Sequence, residues 1–78
     1  MNKEQWKEWR KKFGSRLFSL IYDAKYTIEN MAEITGIKEE IIRDFLYSDY
    51  VPWPNLKDIY ILAEVLEVEP YELLKFED

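Results

Sequence analysis

The stretch TIENMAEITGIKEEIIRDF, Thr27 to Phe45, decides how the rest of the chain is read. It contains two short apolar-periodic segments on either side of Thr35-Gly36-Ile37, with room between them for one tight turn. Thr27 is placed to cap the first segment, because a threonine hydroxyl accepts from the free N–H groups of the next helical turn; Met31 and Ala32 supply that helix's inward side. Gly36 ends it. Glycine takes the left-handed backbone just past a helix end without a Cβ penalty, so the chain reverses there and delivers Ile37 to the core. In the second segment Ile37, Ile41, Ile42 and Phe45 recur at helical spacing. Glu40, Arg43, Asp44 and Tyr47 fall at i, i+3, i+4 and i+7 on the opposite, solvent-facing side.

Upstream, Trp6, Trp9, Phe13, Leu17 and Leu20 lie three or four residues apart, the mark of an amphipathic helix, with Glu4, Lys7, Glu8, Lys11 and Lys12 on other faces. Gly14 interrupts that helix at a cost of about 1 kcal/mol against alanine, which leaves open a bend there or a restart capped by Ser15. Downstream, YSDYVPWPN is a loop in which Pro52 and Pro54 favour extended backbone. Asn55 then caps a helix, forming a capping-box-like pair with Asp58, and Ile59, Leu62, Ala63 and Leu66 give its inward face. Glu69-Pro70 opens a last short helix, with Leu73, Leu74 and Phe76 available for packing. No strand pattern or internal repeat is visible, so the expected fold is an all-α bundle of five helices.

With its flanks, the central stretch resembles the Cro/CI-type (xenobiotic-response-element-like) family of helix-turn-helix repressors. The resemblance is carried by Arg16-Leu17 and Leu20, by Thr27, Met31-Ala32 and Gly36-Ile37, by Ile42 and Phe45, and by Pro54-Asn55-Leu56, Leu62-Ala63, Leu66, Val68 and Leu73-Leu74. It covers roughly residues 15 to 74, in register apart from a slightly longer loop. It implies a compact five-helix bundle of the lambda-repressor-like type, with residues 1–14 as an amphipathic extension of the first helix and residues 15–78 as the helix-turn-helix domain. It also implies a sequence-specific regulator that binds double-stranded DNA, commonly as a homodimer. The positions that would meet DNA are Thr27, Ile28, Lys38, Glu39, Glu40, Arg43, Asp44 and Tyr47. Family members usually carry a glutamine where this chain has Ile28, and a serine or threonine where it has Lys38. Ile41 stands where the family is commonly polar, so Ile28 and Ile41 together are expected to form a small exposed apolar surface suited to a protein partner.

Charge bears on which partner is met. Residues 1–26 hold seven basic and three acidic side chains, a net of +4, whereas residues 27–78 hold four basic and thirteen acidic, a net of −9. DNA affinity rests largely on cations that displace condensed counterions from phosphates, so the second half must overcome repulsion. Glu39 and Glu40 have two readings: they complement the positive end of their helix, or one of them accepts from a cytosine amino group. Trp6, Trp9 and Phe13 also have two: they enlarge the core by packing on the C-terminal helix, or they form a dimer or partner surface, where tryptophan is a favoured anchor.

Seventy-eight residues, 47% of them hydrophobic, make one small core and leave no room for a deep catalytic cleft. The chain has no cysteine and no histidine, which excludes disulfides, thiolate or imidazole zinc sites and histidine acid-base chemistry. No nucleophile–base pair, phosphate-cradling glycine loop or metal-ligand cluster accompanies the many carboxylates, so neither an enzyme nor a bound cofactor or metal is expected. No apolar run reaches the length of a membrane span or signal-peptide core, and a cytoplasmic location is the expectation. Two function classes stay open: a DNA-binding transcriptional regulator, and a helix-turn-helix domain turned to protein binding through its acidic face.

Overall fold

The first helix begins where Asn2 accepts a hydrogen bond from the Gln5 backbone N–H at 2.8 Å, and it runs from Lys3 to Asp23 as α1. It passes through Gly14 without a break, so the helix does not restart at Ser15. At 1.5 Å per residue its 21 residues span about 31 Å. That length accounts for most of the 35 Å long axis of the molecule. The computed structural model describes residues 2–48 and 53–75; Pro52 and Phe76, for which extended backbone and core packing were expected, lie outside them.

The remaining elements are α2 (Ile28–Thr35), α3 (Glu39–Tyr47), α4 (Leu56–Leu66) and a terminal 3-10 helix (Pro70–Leu74), so every described element is helical. The last element is not the α-helix expected. Within its five residues the proline brings no N–H, and the Glu69 N–H is held instead by the Glu72 carboxylate at 2.9 Å. Leu73 is buried from this segment and Leu74 is left exposed. Asn55 caps α4 as expected, accepting from the Asp58 N–H at 2.8 Å.

The core takes at least one fully enclosed side chain from every element: Phe13 and Leu17 of α1, Met31 of α2, Ile42 of α3, Leu62 of α4 and Leu73 of the 3-10 helix. One charged side chain is buried with them. Arg10 is 2% exposed, its guanidinium lying 5.4 Å from the centre of the Phe13 ring. Its two terminal nitrogens donate to the Phe45 and Asp44 carbonyl oxygens, each at 2.8 Å. Those carbonyls belong to the last turn of α3, where a helix runs out of its own N–H donors and a cation is favoured by the helix dipole. Arg10 therefore acts as the C-terminal cap of another helix.

Gly14 works at the same junction. A Cβ added there would lie 2.6 Å from the Leu46 carbonyl oxygen and 3.0 Å from that of Phe45, so only glycine lets the two backbones approach this closely. A second arginine, Arg16, ties α1 to the 3-10 helix through a 3.0 Å hydrogen bond from Nε to the Glu72 carbonyl.

Candidate nucleic-acid interface

Thr27 caps α2 with a reciprocal box: its hydroxyl accepts from the Asn30 N–H at 3.0 Å, and the Asn30 side chain accepts from the Thr27 N–H at 3.3 Å. Gly36 ends the helix at φ 78°, the left-handed conformation its sequence position required. Thr35 adds a feature that the spacing did not reveal. Its hydroxyl donates back to the Met31 carbonyl at 2.6 Å and accepts from the Ile37 N–H at 3.1 Å, which fixes the turn on both sides of the glycine. Ile37 is delivered to the core, and α3 is seated by Ile42, Phe45 and Leu46.

Glu40, Arg43, Asp44 and Tyr47 then project into solvent as one row along α3. Glu39 is half-buried beside them and accepts a 2.6 Å ion pair from Arg43 one turn on. Such an exposed i, i+4 pair contributes only about 0.3 to 0.5 kcal/mol, so Arg43 can leave it for a phosphate or a base at little cost. Lys38 occupies the cap position in extended backbone and makes no side-chain capping bond. The α3 N-terminus therefore relies on the carboxylates of Glu39 and Glu40 to complement its dipole. From Thr27 to Tyr47 there are two basic and five acidic side chains, a net of −3.

Some expected site residues stand elsewhere. Ile28 is half-buried and packs against the core, so it does not join Ile41 in an exposed apolar surface. Ile41, 39% exposed, instead lines a groove of about 330 Å³ with Asp44, Phe45, Trp53, Pro54, Asn55 and Asp58. Phe13 is fully enclosed and cannot be a partner surface. Trp6 packs edge-on against Trp9 at 5.4 Å and against Trp53 at 6.2 Å, while the Phe13 ring lies 5.5 Å from Trp53. Trp6 and Phe13 thus both meet Trp53, in the segment leading into α4.

The basic first helix is also less available to phosphates than its charge count implies. Arg10 is withdrawn into the core and Arg16 is tied to the Glu72 carbonyl. Arg10 was legible in principle, since it stands three residues before Phe13 and seven before Leu17, inside the apolar stripe. Among the described residues no group of carboxylates is arranged to hold a metal ion, and no helix is long and apolar enough to cross a membrane. No family model matches the chain, and neither a curated protein nor a solved structure does.

Proposed function

We propose that this chain is a DNA-binding regulator in which α2 and α3 form a helix-turn-helix and α3 is the reading helix. The observation that carries the reading is the α2–turn–α3 unit itself. Two short helices meet at a left-handed glycine, the second is fixed at its far end by Arg10, and it presents Glu40, Arg43, Asp44 and Tyr47 as a single exposed row. A rigid helix with one outward row is the shape that a major groove accepts. Arg43 and Lys38 supply the cations of this face, Tyr47 a donor, and Asp44 or Glu40 an acceptor suited to a cytosine amino group.

The resemblance to Cro/CI-type repressors supports the same reading, although fold alone does not fix function. Selection of duplexes from a random pool at low salt tests it. Recovery of one motif, with affinity falling as salt rises, is the expected result, and recovery of no motif refutes the proposal.

A second reading is favoured by the groove beside α3. Its apolar lining of Ile41, Phe45, Trp53 and Pro54 is flanked by Asp44 and Asp58, which suits a basic peptide carrying an apolar anchor. If the duplex selection returns nothing, this is the face on which a protein partner should be sought.

A further inference from the structure

Two aspartates of the groove beside α3, Asp44 and Asp58, have carboxylates that make no hydrogen bond or ion pair among the described residues. Asp44 lies in the last turn of α3, which holds no basic side chain, so its carboxylate stands at the negative end of that helix. Only its backbone carbonyl is engaged, by Arg10. Asp58 is half-buried in the first turn of α4, where Asn55 takes its N–H and leaves its side chain to the groove. Between the two carboxylates the surface is apolar. The α3 wall supplies Ile41 and the buried Phe45, and the segment leading into α4 supplies Trp53 and Pro54. At about 330 Å³ the space is near the lower end for ligand pockets, which suits one anchoring side chain and not the width of a helix.

Two carboxylates repel phosphate, whereas a cation on an apolar stem matches both the rim and the lining. We propose that the groove docks an arginine from a basic segment of a partner protein, its stem against Ile41 and Trp53 and its guanidinium on Asp44 and Asp58. The assignment deepens the second reading above and rests on it for the choice of groove. Arginine is favoured over lysine because its planar fork matches a carboxylate and lies flat against an indole. One consequence concerns α3 itself. Asp44 belongs both to the groove and to the outward row of α3, so a segment seated on Asp44 covers that row and keeps a duplex away from it. The same carboxylate acts with opposite sign on the two ligands: it attracts the basic segment and repels phosphate.

Selection of phage-displayed random heptapeptides on the full chain, followed by fluorescence anisotropy of the best synthetic peptide, tests the assignment. The recovered peptides should share an arginine beside an apolar residue. Asp44→Asn and Asp58→Asn should each weaken binding by about fivefold or more, and exchange of the peptide's arginine for lysine by about threefold or more. Ile41→Ser should weaken it too. Glu64→Gln removes the same unit of charge from an exposed site outside the groove and should leave affinity within about twofold. On a labelled duplex Asp44→Asn should act the other way and raise non-specific affinity, and the peptide should displace the duplex. Circular dichroism checks folding; neither aspartate side chain caps a helix, so neither substitution should unfold the chain. The proposal is overturned by a selection that enriches nothing or enriches peptides without arginine. It is equally overturned by a Glu64→Gln loss as large as that of Asp58→Asn, or by peptide and duplex bound together. A chain that binds no duplex refutes the DNA reading alone, and the Asp44 and Asp58 variants still decide the peptide site.

Discussion

Replacing Gly14 with alanine sets two effects of opposite sign against each other. Glycine within a helix is less favourable than alanine by about 1 kcal/mol, so α1 by itself would gain that much. At this position, however, the new methyl group would stand 2.6 Å from the Leu46 carbonyl oxygen, where ordinary contacts begin near 3.4 Å. The obstruction is backbone, not the end of a mobile side chain, so α3 must move away by several tenths of an ångström. That movement lengthens the Arg10 bonds, because the Phe45 carbonyl accepts from Arg10 and also lies 3.0 Å from the added Cβ. Overpacking of this kind costs roughly 1 to 3 kcal/mol, and the loosened bonds add to it. The net expectation is a loss of about 1 to 2 kcal/mol. For a domain of this size each kcal/mol lowers Tm by about 4 to 8 °C. Urea unfolding followed by helical circular dichroism measures the effect, with Ser15→Ala, on the exposed neighbour, expected to stay within about 0.5 kcal/mol. A Gly14→Ala protein as stable as the original, or more stable, would refute the close approach of α1 and α3.

Arg10→Met keeps most of the side-chain volume but leaves the Phe45 carbonyl buried without its donor, and should cost about 1 to 3 kcal/mol in the same titration. Gly36→Ala meets no atom within 4 Å, so its cost should be the left-handed strain alone, about 1 kcal/mol, and a much larger loss would contradict that account. Changing Glu39, Glu40 and Asp44 to Gln, Gln and Asn removes three negative charges from α3. If α3 enters a major groove, fluorescence anisotropy should show non-specific duplex affinity rising and any sequence preference changing, and no change in either would place α3 away from DNA.

Most of the fold could be read from the sequence because it depends on local chemistry. Thr27, Gly36 and Asn55 each act within a few residues of themselves, and capping or left-handed backbone is what those residue types do at such positions. The row on α3 followed from spacing alone. Relations between distant segments could not be read this way. Arg10 and the carbonyls it caps are 34 and 35 residues apart, and an arginine among lysines looks like one more solvated cation until the packing of α1 on α3 is known. Gly14 was visible as a defect in a helix; its cause, a carbonyl arriving from elsewhere, was not. Ile28 was assigned to the surface by a family position. Its half-burial reflects how α2 lies on the core, which spacing within eight residues does not determine.

The cap that Arg10 places on α3 makes the stability of that helix conditional. Nine residues are too few to hold a helix in isolation, and the Phe45 and Asp44 carbonyls in the last turn of α3 accept from Arg10, which precedes them by more than thirty positions. Its backbone amides should therefore exchange with solvent at the rate at which the front of α1 lifts away, as one cooperative unit. Anything that binds the outward row of α3 must, by linkage, also slow the opening of residues near Arg10, although it never touches them. The residues ahead of α2 are then no loose arm but the back support of α3.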